Sequence, residues 1–188
     1  MKKVGILGGT FSPPHIGHMV MAAEAKFSLG LDEVRLMPNA DPPHKKAPAA
    51  NARQRARMAE LAAGGCPGVA VERYETDKGG KSYTVETMEA LTEREPDSRF
   101  YFLIGGDMME SLSAWHRIDD LLQLVEFAGF KRPGYGVTSK YPVTVIDAPV
   151  IELSSTFIRE RIRNGGPFSH LVPPEVEQYI RKERLYGS

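Results

Sequence analysis

The chain has 188 residues, 24 of them basic and 24 acidic, so its formal net charge is zero with the histidines neutral. This balance gives no electrostatic attraction to nucleic acid or to an acidic membrane surface, and we expect neither as a partner. The length suits a single domain, and 41% hydrophobic with 26% charged residues is typical of a soluble globular protein.

The cysteine content and the first residues of the chain indicate in which cellular compartment the protein is expected. One cysteine, Cys66, cannot form an intramolecular disulfide, which favours a reducing compartment. The apolar run after Met1 is broken by Gly5 and ends at Gly8, which is too short for the core of a signal peptide. No stretch approaches membrane-spanning length. We therefore expect a cytoplasmic protein that does not bind membranes.

Strand-like and helix-like segments alternate along the chain. The apolar patterns predict strands at 4–7, 33–38, 69–73, 99–104, 125–130 and 143–146. They predict helices at 19–29, 52–63, 85–95, 108–112, 118–124, 155–163 and 175–182, with loops at 39–48 and 76–82. Capping residues are expected at Gly30, Asn51, Thr84 and Ser154. The alternation predicts an α/β fold with a doubly wound, mostly parallel sheet. We expect one domain, 1–188, with a small C-terminal helical part from about 153 to 188.

The first candidate site lies between the first strand and the first helix, in Gly8-Gly9-Thr10 and the following His15-Ile16-Gly17-His18. Glycines let the backbone approach an anion, and a helix N-terminus adds free N–H groups and a positive dipole end. The two histidines can donate to one phosphate, and Gly17 would let a ligand come between them. A tight turn with solvent-exposed histidines is the alternative. Ligands of doubly wound sheets bind past the carboxyl ends of strands, where Gly105-Gly106 also lies.

The second candidate site is the run from Ser154 to Arg159, in which three hydroxyl residues begin a helix and an arginine follows one turn later. Alone, this pattern also fits a capped helix with a surface arginine. Together with the first site it predicts a grip on a polyphosphate, because such a ligand needs donors on more than one side.

These two motifs resemble the nucleotidyltransferase superfamily with the His-x-Gly-His signature, which is related in fold to the class I aminoacyl-tRNA synthetases. Over the whole chain, the resemblance narrows to the bacterial nicotinate mononucleotide adenylyltransferases. The segments that narrow it are Pro42-Pro43-His44-Lys45, Ser82-Tyr83-Thr84, Gly105-Gly106-Asp107 with Trp115, and Lys131-Arg132-Pro133-Gly134. The resemblance implies a Rossmann-like fold. It also implies transfer of the adenylyl group of ATP to nicotinate mononucleotide, giving deamido-NAD and pyrophosphate in NAD biosynthesis. Mg²⁺ would be bound mainly through the ATP phosphates.

The resemblance also implies which residues contact ATP. The ATP-binding set is Gly8, Gly9, Thr10, His15, His18, Gly105, Asp107, Ser155, Thr156 and Arg159. His18 would lie near the α-phosphate, and Arg159 would hold the departing phosphates. Lys45 would reach the phosphates from its loop. The residues that would carry catalysis are His15, His18, Lys45 and Arg159.

For the mononucleotide, the implied set is Tyr83, Thr84, Asp107, Trp115 and Lys45. Trp115 would stack on the pyridine ring, since an indole face suits an electron-poor cation. Tyr83 and Thr84 would offer donors to the nicotinate carboxylate, and Asp107 would bind a ribose hydroxyl. A partly buried surface aromatic is the alternative for Trp115.

Two positions depart from the family pattern: Ser12, where Asp or Asn is common, and Gly106, where alanine is common. Several polar residues are expected at the surface without a role, namely Arg53, Arg55, Arg57, His116 and His170. His44 is expected to be a loop residue, and assistance to Lys45 is the alternative. We expect no protein-bound metal, because the two histidines lack a third ligand nearby in sequence.

Other functions fit the same motifs. The acceptor could be nicotinamide mononucleotide or phosphopantetheine, and a cytidylyltransferase or a non-catalytic nucleotide-binding regulator would share the glycine–histidine stretch. Formation of a homo-oligomer is compatible with the sequence, which does not decide it.

Overall fold

The computed structural model describes residues 1–40, 49–131 and 139–188. Within them, six strands form one sheet in the order β3-β2-β1-β4-β5-β6. The strands are β1 (Lys2–Gly9), β2 (Glu33–Pro38), β3 (Val69–Val71), β4 (Ser98–Gly105), β5 (Val125–Phe130) and β6 (Val143–Ile146). Every neighbouring pair is parallel. The predicted α/β fold is confirmed, and the sheet is parallel throughout rather than mostly so.

Helices cover both faces of the sheet. They are α1 (Ile16–Leu29), α2 (Ala52–Gly64), α3 (Tyr74–Lys78), α4 (Thr84–Arg94), α5 (Gly106–Ser111), α6 (Ile118–Leu124), α7 (Ser155–Arg163) and α8 (Pro174–Lys182). Short 3₁₀ turns follow α5 at Leu112–Ala114 and α8 at Leu185–Gly187.

Every predicted strand and helix is present, and the differences lie in boundaries and in one additional helix; β3, for example, ends at Val71 rather than at 73. The first helix begins at Ile16, three residues earlier than predicted. The short helix α3 replaces part of the predicted loop at 76–82. Thr84, expected as a cap, is the first residue of α4, and Tyr83 occupies the capping position without a side-chain cap hydrogen bond.

Two apolar cores lie on opposite sides of the sheet. Alternate residues of β4 divide between them: Phe100 and Phe102 face one core, and Tyr101 and Leu103 face the other. The first core receives α4, α5 and α6. The second receives α1 and α2 together with the C-terminal helices α7 and α8, which bury their apolar faces on it. Residues 155–185 therefore share a core with the N-terminal half of the chain.

The strand order reverses direction beside β1. The chain moves outward from β1 through β2 to β3, and then returns to add β4 on the other side of β1. A parallel sheet opens a crevice at the carboxyl ends of the strands at such a point. The loops after β1 and β4 thus face one another across this crevice. In the described parts of the chain, no helix has the length and apolar character needed to cross a membrane.

Candidate active site

A cleft of about 1190 Å³ lies at the carboxyl ends of β1 and β4. Every predicted site residue that the structure describes lines it. Those residues are Gly8, Gly9, Thr10, His15, His18, Tyr83, Thr84, Gly105, Asp107, Trp115, Ser155, Thr156 and Arg159. Lys45 and its neighbour His44 lie outside the described residues, as does Arg132-Pro133-Gly134. Residues from six separate parts of the chain therefore meet in one cleft, and their individual roles remain predictions.

The two histidines at the start of α1 form a stacked pair. Their ring centroids are 3.7 Å apart with the planes at 28°, and Phe11 packs edge-on against His18 at 4.8 Å. The backbone N–H of His15 donates to Nδ1 of His18 at 3.1 Å. Because Nδ1 accepts this hydrogen bond, the proton of a neutral His18 is on Nε2. His18 can therefore act as an N–H donor through Nε2.

Both histidines are held in the neutral form. Burial lowers the pKa of His15 to about 4. The pKa of His18 is also well below its usual value, first because of burial and then because of repulsion from His15. At neutral pH the pair therefore supplies hydrogen-bond donors rather than positive charge.

The glycines of the first motif make room for aromatic rings. A Cβ on Gly17 would lie 2.9 Å from the His15 ring, and a Cβ on Gly9 would lie 3.2 Å from the Phe11 ring. The expectation that Gly17 leaves space for a ligand between the histidines was wrong, since the His15 ring itself packs there. Glycine at this position allows the imidazole to lie directly against the helix backbone.

The start of α7 is joined to the loop after β1. Ser154 caps the helix, its Oγ accepting from the N–H of Phe157 at 3.1 Å. Ser155 Oγ donates to the carbonyl of Pro13 at 2.8 Å. Arg159 donates to the carbonyl of Ser12 at 2.8 Å and to Thr156 Oγ1 at 3.1 Å. The two predicted phosphate-binding motifs are thus one hydrogen-bonded unit, which fixes their relative position.

Ser12, one of the two residues that depart from the family pattern, is buried and has a partner that the sequence did not indicate. Its Oγ lies 3.0 Å from the hydroxyl of Tyr186, in the C-terminal 3₁₀ turn. Burial raises the pKa of Tyr186 to about 12, so this phenol stays protonated. The end of the chain therefore holds the loop after β1 in place.

The other side of the cleft is aromatic. Trp115 is half-buried and meets Phe102 and Phe127 edge-on, at 5.7 Å and 6.0 Å between centroids. The Tyr83 ring lies 4.5 Å from that of His116, which is exposed as expected but also lines the cleft. Tyr83 immediately precedes α4, so the first N–H groups of that helix are close to these rings. This side can receive a flat ring that carries an anionic group.

Asp107 also lines the cleft. It belongs to the first turn of α5, which begins at Gly106, directly after Gly105 at the end of β4. A Cβ on Gly105 would lie 2.8 Å from Asp107 Oδ1, so glycine there allows the carboxylate to fold back over the strand end. A carboxylate in this place can accept from sugar hydroxyls of a bound nucleotide.

Arg55 corrects one prediction from the sequence. It was expected on a solvated helix face with Arg53 and Arg57, but only 1% of Arg55 is exposed. Its guanidinium donates to the carbonyl of Thr10 at 2.9 Å, to Asn39 Oδ1 at 3.2 Å and to the carbonyl of Ala40 at 2.6 Å. Arg55 therefore connects the loop after β1 to the loop after β2.

The chemistry of the cleft is that of a site for phosphates and a flat ring. Among residues 1–40, 49–131 and 139–188, no three His, Cys, Asp or Glu side chains come together as a set of metal ligands. The donors in the cleft include neutral imidazoles, hydroxyls, backbone N–H groups and the cations Arg159 and Lys131. They can orient phosphate groups and stabilise their charge.

Comparison with known proteins gives a consistent result. The cytidylyltransferase-like family profile matches residues 6–161. The nicotinate-nucleotide adenylyltransferase of Bacillus subtilis is 43% identical over 189 residues, covering all of both chains. A protein named probable nicotinate-nucleotide adenylyltransferase from Lactiplantibacillus plantarum is 50% identical, covering 98% of this chain and 88% of the other.

Solved structures agree on the fold. The nicotinic acid mononucleotide adenylyltransferase of Plasmodium falciparum, solved in complex with NaAD, superposes with a TM-score of 0.83 at 17% identity. The superposition covers 99% of this chain and 98% of that chain. The same enzyme in complex with APC superposes with a TM-score of 0.81.

Proposed function

Since this chain belongs to the cytidylyltransferase-like family and, within it, to the nicotinate-nucleotide adenylyltransferases, we infer that it transfers the adenylyl group of ATP to nicotinate mononucleotide. The products are deamido-NAD and pyrophosphate. The observation that supports this activity most directly is that the phosphate-binding unit and the aromatic side line the same cleft. Transfer of an adenylyl group from one nucleotide to another requires that both nucleotides bind next to the reacting phosphorus.

We propose that the reaction is a direct in-line displacement. An oxygen of the mononucleotide phosphate attacks the α-phosphorus of ATP, a new P–O bond forms, and the bond to the β-phosphate oxygen breaks to release pyrophosphate. The attacking phosphate is already ionised near neutral pH, so no general base is required. The protein contributes positioning and stabilisation of the charge that develops on the phosphates.

The phosphate-binding unit supports specific roles. His18 Nε2–H would donate to the α-phosphate, and its orientation is set by the hydrogen bond at Nδ1. Ser155, Thr156 and Arg159 would hold the β- and γ-phosphates. Their present hydrogen bonds to the loop after β1 keep them beside the histidine pair. Lys45, from the loop outside the described residues, is proposed to add positive charge at the phosphates.

Mg²⁺ fits this site as an ion carried by the phosphates. The described residues offer no cluster of ligands of their own, and Mg²⁺ commonly binds substrate phosphates together with water. When bound, it would neutralise phosphate charge. We further propose a cytoplasmic location, which the single free cysteine, Cys66, supports.

The aromatic side is proposed to bind the mononucleotide. The planes of Phe102 and Phe127 are nearly perpendicular to that of Trp115, which fixes the orientation of the indole, and the indole would stack on the pyridinium ring. The first N–H groups of α4, at Tyr83 and Thr84, would receive the nicotinate carboxylate. A carboxylate suits such donors better than a neutral amide, so the arrangement favours nicotinate over nicotinamide mononucleotide.

The stereochemical course tests this mechanism. ATP that carries a chiral phosphorothioate at the α-position is converted with nicotinate mononucleotide, and the configuration of the dinucleotide is determined. A single displacement predicts inversion at phosphorus. Retention would show two displacements through an enzyme-bound intermediate and would contradict the proposal. Turnover with CTP in place of ATP tests the nucleotide, and we expect ATP to be strongly preferred.

A further inference from the structure

A buried carboxylate lies behind the aromatic side of the cleft. Glu75, in α3, is only 5% exposed, yet it is among the residues that line the cleft. The residues implied by the family resemblance do not include it. A buried carboxylate without strong hydrogen bonds is costly, so its partners indicate what it does.

The partners of Glu75 belong to the segment that is proposed to bind the acceptor. Thr87 Oγ1 donates to Glu75 Oε1 at 2.9 Å. The same hydroxyl lies 3.3 Å from the carbonyl of Tyr83. Ser82 also hydrogen-bonds to the Glu75 carboxylate. One carboxylate therefore contacts both ends of the turn that begins α4.

These contacts also explain a residue that is unfavourable by helix propensity. Thr87 lies in the interior of α4 and is only 2% exposed, although β-branched polar residues are weak helix formers. Its hydroxyl donates a hydrogen bond to Glu75 in α3 and does not only contact the backbone of its own helix. Burial raises the pKa of Glu75, while the hydrogen bonds from Thr87 and Ser82 oppose that rise.

We propose that Glu75 is a positioning residue for the acceptor, which sets the place of the Tyr83–Thr84 backbone through Thr87 and Ser82. This inference rests on the proposed function, because it assumes that the mononucleotide binds at the start of α4. The phosphate-binding unit at β1 and α7 has no contact with Glu75 among the hydrogen bonds of the described residues. Disturbing Glu75 should therefore weaken binding of the acceptor and leave binding of ATP unchanged.

Thr87→Val is the first test, because it removes the hydroxyl and keeps the β-branched shape. We expect KM for nicotinate mononucleotide to rise about tenfold, the effect of losing one ordering hydrogen bond, with KM for ATP within about twofold of wild type. Thr87→Ser retains the hydroxyl and should restore the wild-type value.

Thr92→Val is the matched control. Thr92 lies in the same helix, and its buried Oγ1 has no hydrogen-bond partner among the described residues. The same isosteric change there should leave both KM values unchanged. An equal rise in acceptor KM in Thr92→Val would show a general effect on α4 and would overturn the proposal.

Glu75→Ala tests the carboxylate itself. It should raise acceptor KM at least as much as Thr87→Val, and the double variant should show little further increase, because both changes remove the same contact. Full additivity of the two effects, or an equal rise of KM for ATP, would overturn the proposal. If Glu75→Ala fails to fold, the KM values of Thr87→Val and Thr87→Ser test the proposal. Wild-type protein that does not turn over nicotinate mononucleotide would instead contradict the proposed function.

Discussion

Arg55 gives the sharpest prediction about what holds the site together. It is a buried cation on α2 whose guanidinium spans carbonyls at the ends of β1 and β2. In Arg55→Lys the charge is retained, but an ammonium cannot reach both carbonyls with a planar fork. The substitution therefore removes one strong contact and leaves a buried carbonyl without its donor.

The expected magnitude follows from these contacts. A hydrogen bond from a charged donor contributes about 1.5–3 kcal/mol, and an orphaned buried acceptor costs a similar amount. We expect Arg55→Lys to lower the free energy of unfolding by roughly 3 kcal/mol, which corresponds to a fall in Tm of about 6–12 °C for a chain of this size. Because Thr10 lies at the cleft, kcat/KM for ATP should also fall.

Thermal unfolding and steady-state kinetics measure both effects. Arg57→Ala is the control, since Arg57 lies on the same helix and is exposed, with a surface ion pair to Glu60. It should change stability by less than about 0.5 kcal/mol and leave the kinetics unaffected. If Arg55→Lys were as stable and as active as Arg57→Ala, the reasoning about the buried guanidinium would be refuted.

Three further predictions concern the cleft. His18→Ala should lower kcat on the order of a hundredfold through loss of the Nε2–H donor at the transferring phosphate, and near-normal turnover would rule out that role. Trp115→Ala should raise KM for the mononucleotide more than KM for ATP, whereas equal changes would argue against ring stacking. Acidification should destabilise the fold: His15 has a native pKa of about 4, so the unfolded chain takes up its proton first as the pH falls below about 6.5. By pH 4 this protonation lowers the free energy of unfolding by roughly 3 kcal/mol. If the free energy of unfolding of His15→Gln fell with pH as steeply as that of the wild type, this prediction would be contradicted.

Local chemistry explains which parts of the structure could be predicted. Helix α7 begins and ends as predicted, because Ser154 caps its start and glycines follow its end. The strand β2 ends as predicted at Pro38. In both cases the residues that determine where the element begins or ends lie within a few positions of that boundary. The crevice beside β1 follows from the alternation of strands and helices, together with general rules for parallel sheets.

The features that could not be predicted depend on distant contacts. The partners of Arg55 are the carbonyls of Thr10 and Ala40, which lie in other loops and leave no trace in the sequence of α2. The contact between Ser12 and Tyr186 joins residues 174 positions apart. Such contacts carry no local signature. The burial of Arg55 itself did have a local signal, because helical spacing places it on the same face as the apolar residues Met58 and Ala59.

The protonation of the histidine pair also needed the structure. From the sequence, the two rings could have been cations or neutral donors. Their stacking at 3.7 Å and their burial decide for the neutral form. Arg159 and Lys131, together with the proposed Lys45, are then the positive side chains available to the phosphates, and His18 is proposed to act through a directed N–H group.

The most direct test of the central claim is an initial-rate assay of pyrophosphate release with ATP and each of three acceptors. Nicotinate mononucleotide should give the highest kcat/KM, exceeding that of nicotinamide mononucleotide by at least about tenfold, because the N-terminus of α4 favours an anionic group. Phosphopantetheine, which has no ring for Trp115, should give no release above background. Faster release with phosphopantetheine, or none with nicotinate mononucleotide, would contradict the account.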